Sequence, residues 1–200
     1  MRSRTVATAL VALAAALGTG AWAADQVKPT KLFFVKDGGN DPAKRRILFK
    51  SKEGPGSTNT VVGDPTQDGA TLRVRLGSEN AQCFQLPALG WASIGSLGFR
   101  YKDFDGPGAV TAASIKKTPS GVFLVKLRVS GRTGPLDVVP QAGAASFDLN
   151  LTLGGGDSYC AGGPTPPGAT NTDRAYKAKD VDAPAACGVT ACSPSGAFLD

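Results

Sequence analysis

Residues 121–130 read GVFLVKLRVS, and this stretch decides the fold class. From position 123 onward the odd-numbered residues are Phe, Val and Leu, whereas the even-numbered residues include Lys126 and Arg128. A period of two residues is typical of a β-strand with one face buried and the other in water. The same alternation appears in LRVRL at 72–76 and in SFDLNLTL at 146–153. Strands that are polar on one face indicate an antiparallel sheet, because strands of parallel sheets are apolar on both faces.

The rest of the chain has the composition of a turn-rich β-protein. It contains 26 Gly and 14 Pro among 200 residues, which suits turns between short strands and not long helices. Ten segments have strand character, and no helical crossover separates them: 31–36, 46–52, 70–76, 81–86, 98–103, 109–117, 121–130, 146–153, 157–161 and 175–179. The predicted fold is all-β, a single antiparallel β-sandwich of jelly-roll type, with a closed barrel as the alternative.

The first 23 residues have the pattern of a secretory signal peptide. Arg2 and Arg4 precede an apolar run from Val6 to Leu17, and the small residues of Ala21-Trp22-Ala23 predict cleavage before Ala24. The run is shorter than the roughly 20 residues that a membrane-spanning helix needs. We therefore predict a signal peptide at 1–23, one domain at 24–200, no membrane span in the mature chain, and a secreted or periplasmic location.

The four cysteines all lie in the predicted mature chain. An even number of cysteines in an exported protein predicts two disulfides. Of the three connectivities, we favour Cys160 with Cys187 and Cys83 with Cys192, since each bridge would fasten the Gly- and Pro-rich C-terminal region to the strands. A local bridge between Cys187 and Cys192 is the main alternative.

The chain contains no histidine, which excludes Ser-His-Asp hydrolysis and histidine-ligated zinc. Its two glutamates, Glu53 and Glu79, stand beside turn residues, and no catalytic signature is present. Asp103-x-Asp105-Gly106 follows a predicted strand and offers oxygen ligands for Ca²⁺, whereas the structural alternative is a pair of turn-forming aspartates. No other cofactor is predicted.

Basic residues on the predicted wet strand faces are the candidate ligand-binding groups. Without Arg2 and Arg4 the chain has 20 basic and 16 acidic residues, a net charge of +4. Arg73, Arg75, Lys126 and Arg128, joined by Arg100 and Lys102, would form one basic face if their strands are neighbours. Such a face suits an acidic polysaccharide or lipopolysaccharide, although charges on a wet face also serve solubility.

A series of short motifs along the chain resembles a group of exported bacterial β-sandwich domains that has no assigned activity. The motifs span 31–187 and are Lys36-Asp37, Asn40-Asp41-Pro42, Lys44-Arg45-Arg46-Ile47, Gly63-Asp64-Pro65-Thr66, Gly69-Ala70-Thr71-Leu72, Tyr101-Lys102-Asp103, Gly106-Pro107-Gly108, Tyr159-Cys160-Ala161 and Ala183-Pro184-Ala185-Ala186-Cys187. The resemblance implies the fold, export, and a bridge between Cys160 and Cys187. Cys83 and Cys192 are additions to the usual pattern, which favours pairing them.

These observations predict a secreted, non-enzymatic binding or structural protein that acts at the cell surface or in the periplasm. Its partner would be an anionic glycan or another surface protein, and no nucleic-acid partner is expected. The alternative function is a carbohydrate-active enzyme that uses paired aspartates, with Ca²⁺ as an optional ion. A cleft holding two facing carboxylates would distinguish the enzyme from the binding protein.

Overall fold

The computed structural model describes residues 24–39, 41–103, 106, 108–188 and 192, so the predicted signal peptide and Asp105 lie outside the described residues. The described residues form short strands joined by turns. In chain order the strands are β1 (Asp25–Val27), β2 (Leu32–Lys36), β3 (Arg46–Lys52), β4 (Ala70–Leu76), β5 (Asn80–Leu86), β6 (Trp91–Ser93), β7 (Gly98–Lys102), β8 (Val110–Lys117), β9 (Phe123–Ser130), β10 (Ser146–Leu153), β11 (Ser158–Pro164), β12 (Thr170–Asn171) and β13 (Ala175–Ala178).

The strands form two sheets. One has five strands in the order β1-β11-β10-β4-β5, and the other has eight in the order β12-β13-β2-β3-β9-β8-β7-β6. Neighbouring strands are antiparallel except for β1 and β11, which are parallel. The sheets do not close on themselves, so the predicted β-sandwich is confirmed and the barrel alternative is wrong.

In the described part of the chain, helical structure is limited to single turns: the α-helical turn α1 (Pro65–Asp68) and the 3₁₀ turns Pro42–Lys44 and Ala88–Gly90. In α1 the Asp64 side chain accepts a hydrogen bond from the backbone N–H of Thr66, which caps the turn. Among the described residues, no helix is long and apolar enough to cross a bilayer.

The core lies between the two sheets and is built from the inward residues of the alternating strands. The ring of Phe33 on β2 stacks on that of Phe147 on β10, with 4.6 Å between the centroids, and so links the sheets. The ring of Phe123 on β9 stacks on that of Tyr159 on β11 at 5.8 Å. The predicted core residues are all buried: Leu72, Val74, Phe123, Val125, Leu127, Phe147, Leu149 and Leu151.

The two disulfides are Cys160–Cys187 and Cys83–Cys192, so the favoured pairing is confirmed and a Cys187–Cys192 loop is wrong. Two stable disulfides favour a compartment outside the cytoplasm. Cys160 and Cys83 lie in one row of residues across the outward face of the five-stranded sheet, with Asn150 and Arg73 between them. Three strand spacings amount to about 14 Å. Five residue steps of extended chain reach about 17 Å, so the separation of the two C-terminal cysteines fits this distance.

This outward face is covered, contrary to the expectation of a wet face. Asp148, Asn150 and Ser158 are each less than 10% exposed, although the alternation of β10 and β11 turns them away from the core. Arg75 donates from Nε to the Asp148 carboxylate at 3.0 Å, and its guanidinium also contacts the carbonyl of Gly188 in the C-terminal region. The expectation that Arg73 and Arg75 are exposed is therefore wrong: both are half-buried, because Gly188 and the disulfide-bound Cys187 and Cys192 lie on their side of the sheet.

Truncation of Arg75 should lower the stability of the fold, because its ion pair with Asp148 is partly shielded from water. We expect Arg75→Ala to lower the free energy of unfolding by about 2 kcal/mol, since it leaves the nearly buried Asp148 carboxylate without its charged partner. Arg128→Ala, on the exposed face, should cost well under about 1 kcal/mol. Denaturant unfolding measures both values, and a double-mutant cycle with Asp148→Ala should give a coupling energy of about 1 kcal/mol or more. Equal small costs for the two arginines would contradict this account.

Lys28, just after β1, is a second buried charge. It is 1% exposed, its Nζ lies 3.5 Å from the Glu53 carboxylate, and the same atom lies 4.1 Å from the ring centroid of Phe123. Glu53 in turn accepts hydrogen bonds from the side chains of Ser57 and Asn59. Burial lowers the pKa of Lys28 from 10.5 to about 8, and the neighbouring Glu53 offsets part of that effect.

Lys28 should make stability rise with pH. Between its folded pKa of about 8 and its unfolded value of 10.5, the unfolded chain keeps a proton that the folded protein has released. Relative to Lys28→Met, the wild-type protein should gain about 2 kcal/mol between pH 7 and pH 9.5. The window ends at pH 9.5 because burial raises the pKa of Tyr159 from 10.0 to about 12, so that both proteins lose stability in more alkaline solution. Urea titrations across this range test the difference; the exposed Lys50→Met is the control, and parallel curves for wild type and Lys28→Met would contradict the prediction.

Candidate anion-binding face

The outward face of the eight-stranded sheet is strongly cationic. None of its strands contains an aspartate or glutamate. Alternation along its strands turns basic residues outward, and cross-strand register places them on one surface, which we call the basic face: Lys36, Arg46, Lys50, Lys52, Arg100, Lys102, Lys116, Lys126, Arg128 and Lys177. The inward neighbours of these residues, such as Ile47 and Val125, fill the core. The burial pattern that builds the core therefore also sets the charge of this surface.

Like charges stand directly opposite one another on this face. Lys36 on β2 pairs with Arg46 on β3, and Lys50 on β3 pairs with Lys126 on β9. Like-charged cross-strand pairs destabilise a sheet, so the fold retains an unfavourable interaction here. None of these four residues joins an ion pair with another described residue.

Apolar side chains lie among the cations. Phe34 and Leu48 are cross-strand neighbours on the same face, and both are half-buried. The guanidinium of Arg46 lies 5.4 Å from the centroid of the Phe34 ring, within range of a cation–π interaction. The basic face therefore combines cationic side chains with a partly buried apolar surface between them.

One end of the basic face is hollow. A depression of about 450 Å³ lies where the end of β3 meets the turn between β8 and β9. Four lysines line it, together with three hydroxyl residues and two aliphatic ones: Lys31, Lys50, Lys52, Lys126, Ser51, Thr118, Ser120, Val122 and Leu124. Thr118 and Ser120 share a hydrogen bond of 2.9 Å between their hydroxyls. Ammonium and hydroxyl groups together are suited to binding oxyanions.

The predicted ligand-binding residues fall into two separate groups. Lys126 and Arg128 belong to the basic face, and so do Arg100 and Lys102, which lie two strands away on β7. Arg73 and Arg75 lie on β4 in the other sheet. The expected single face containing all these residues does not form, because β4 and β9 are not neighbours.

Sequence reasoning also missed much of the basic face. The predicted strands contained Lys36, Lys50 and Lys52. Alternation shows which residues of a strand share a face, but it does not show which strands are neighbours, so the common surface of these lysines could not be predicted. The available signal was the absence of acidic residues from the segments 46–52, 109–117 and 121–130.

Asp103, the first residue of the predicted Ca²⁺ pair, is used by its own turn. Its Oδ1 accepts a hydrogen bond of 2.7 Å from the backbone N–H of Gly106, and a Cβ atom at that glycine would lie 2.6 Å from the same oxygen. Asp105 lies outside the described residues. Within the described ranges, the group with metal-ligand spacing is Asp25, Cys160 and Cys187, and its two sulfurs form a disulfide. Calcium binding by Asp103 and Asp105 stays a prediction.

A larger groove, about 720 Å³, opens between the edge strand β5 of one sheet and β7 of the other. Phe84, Tyr101 and the almost fully exposed Leu89 form apolar walls. Asp103 is the one carboxylate residue among the described residues that line it. The described part of this groove therefore lacks the two facing carboxylates that the glycosidase alternative requires.

Comparison with known protein families, with curated proteins and with solved structures found no match to this chain. The resemblance to exported bacterial β-domains stays a prediction.

The like-charged pair at the centre of the basic face should limit stability. We expect Lys126→Gln to raise the free energy of unfolding by about 0.5 kcal/mol at low ionic strength, because the change removes repulsion from Lys50. The gain should shrink in about 1 M salt, where the Debye length falls to about 3 Å. Lys44→Gln is the control, since that lysine lies 3.2 Å from the Asp41 carboxylate and its loss should give no gain. A lower or unchanged stability of Lys126→Gln at low salt would contradict this prediction.

Proposed function

We propose that this chain is an exported, non-enzymatic binding protein that holds an anionic glycan on the basic face. The observation that carries the proposal is an eight-stranded sheet without acidic residues and with ten outward cations. A polyanion lying across the strands would neutralise the repulsion between Lys50 and Lys126. Export rests on the predicted signal peptide and agrees with the two disulfides.

The position of the charges supports binding over solubility alone. Charges that prevent aggregation are needed on edge strands, where unpaired backbone groups attract other chains. The edge strands β6 and β12 carry no cation, whereas Lys50 and Lys126 lie on the interior strands β3 and β9. Charge is thus concentrated where the sheet is already paired on both sides.

The spacing of the cations favours a polymer with regularly repeated charges. Outward residues recur at about 7 Å along a strand and at about 5 Å between strands. Lys50, Lys52 and Lys126 follow this lattice around the hollow, and Arg100 and Lys116 extend it across β7 and β8. Phe34 is the one outward aromatic residue on the strands that bear the ten cations, which gives little stacking surface for the bases of a nucleic acid.

A polyuronate such as alginate provides a direct test, with neutral dextran as the uncharged comparison. The protein should bind alginate and not dextran, and raising salt from 0.1 M to about 1 M should remove most of the binding, since the Debye length falls from about 10 Å to about 3 Å. Isothermal titration calorimetry or affinity electrophoresis measures the dissociation constant. Salt-insensitive binding, or equal binding of both polymers, would contradict the proposal.

A charge-matched pair of variants then locates the site. Lys50→Gln with Lys126→Gln should weaken alginate binding about tenfold, equivalent to about 1.4 kcal/mol. Lys44→Gln with Arg132→Gln removes the same charge from loop positions outside the sheet and should leave the dissociation constant within about twofold, because the face is unchanged. If the two double variants lose the same affinity, net charge explains the binding and the assignment to this face is wrong.

A further inference from the structure

Asp157 is a buried carboxylate whose direct partners are neutral. The residue precedes β11 and is 5% exposed. Its Oδ1 accepts a hydrogen bond of 2.9 Å from the backbone nitrogen of Ala24, and its Oδ2 accepts a short one from the side-chain amide of Gln26. Asp157 takes part in none of the ion pairs among the described residues. The charge of Asp157 acts on Lys28 at a distance, but the ammonium group of Lys28 forms its ion pair with Glu53.

A buried carboxylate without a paired cation is unfavourable, and two neutral donors compensate it only in part. One of those donors is the nitrogen of Ala24. Ala24 is also the residue at which cleavage after Ala21-Trp22-Ala23 would start the mature chain. The nitrogen that cleavage would free is therefore the same atom that donates a hydrogen bond to Asp157, 133 residues further along the chain.

We infer that Asp157 is the receptor for the α-ammonium group that signal-peptide cleavage creates on Ala24. The inference rests on the proposed export and is independent of glycan binding. Hydrolysis of the Ala23–Ala24 bond by a signal peptidase consumes one water and leaves a carboxylate on Ala23 and a protonated α-amine on Ala24. The same nitrogen that donates to Asp157 as an amide then donates as a cation.

The structure holds Ala24 in place for this exchange. The backbone N–H of Ser158 donates to the carbonyl of Ala24 at 3.0 Å, and β1 continues as a parallel partner of β11 from Asp25 to Val27. Beyond β1, the N–H of Lys28 donates to the carbonyl of Cys160 at 2.6 Å. Because Ala24 itself is exposed, the larger ammonium group has room at the surface end of the contact.

An ion pair at this position would fasten an edge strand. β1 lies at the end of the five-stranded sheet and is only three residues long, so its backbone pairing alone is weak. The α-ammonium of Ala24 adds a charge-assisted hydrogen bond at its first residue. The proteolytically matured chain is therefore more stable than any form in which Ala24 remains in amide linkage.

The test compares two purified proteins with intact disulfides: residues 24–200 with a free α-amine, and the same residues preceded by Gly-Ser. The free-amine form should melt about 4 °C or more above the extended form at pH 7, since each kcal/mol of added stability shifts the melting temperature of a domain of this size by about 2 to 4 °C. In Asp157→Asn the two forms should melt within about 1 °C of each other, because the acceptor is no longer charged. Asp25→Asn removes the adjacent exposed carboxylate and should keep the full difference. No difference in the wild-type sequence, or the same difference in Asp157→Asn, would overturn the inference.

A second measurement needs only the wild-type sequence, in case Asp157→Asn does not fold. An amine-acetylating reagent at pH 7 should modify the α-amine of Ala24 at least tenfold more slowly in the folded protein than in urea, as followed by peptide mass spectrometry. The exposed Lys50 should react at similar rates in both states. Equal rates for the α-amine, or an exported protein whose mass starts at another residue, would also overturn the inference, whereas failure to bind alginate would bear only on the proposed function.

Discussion

The structure depends on the burial of one face of each sheet against the other. The contact between Phe33 and Phe147, 4.6 Å apart across the two layers, lies within an apolar core to which every long strand contributes alternate residues. Burial of each such ring removes apolar surface from water and contributes about 2 to 3 kcal/mol. Because the period is two, fixing the inward residues also fixes the outward ones. Every candidate site on the sheet faces is therefore a consequence of this packing.

The two outward faces that result are used in different ways. On the five-stranded sheet, Cys83 and Cys160 attach the C-terminal region, and polar residues such as Asp148 and Asn150 become buried beneath it. Those polar groups need partners, which Arg75 supplies for Asp148. On the eight-stranded sheet the outward residues are basic and mostly exposed. One face thus carries the attachment of the C-terminal cysteines, and the other is the face to which we assign the proposed binding.

Alternation in the sequence predicted the sandwich and its core because burial in a sheet is a local, periodic property. The pairing of the cysteines was also predictable, since Cys83 and Cys160 stood in strand segments and the other two in a turn-rich region that needed fastening. Arg73 and Arg75 were assigned to the wrong surroundings because a period of two reveals the face of a strand but not which sheet contains it. Lys28 gave no sequence signal, as it lies outside any alternating run and its burial depends on Phe123 and Glu53 from distant segments.

The two sheets differ in how their charged residues are paired. Two of the charges that this protein buries have a charged partner nearby, Glu53 for Lys28 and Arg75 for Asp148, whereas the direct partners of Asp157 are neutral donors. On the basic face like charges stand opposite one another instead: Lys36 faces Arg46, and Lys50 faces Lys126. A sheet that needed only to remain soluble would be better served by mixed charges, which remove this repulsion at no cost in hydration. This repulsion supports the proposal that an anionic ligand binds here, because such a ligand would gain affinity by neutralising the charges of Lys50 and Lys126.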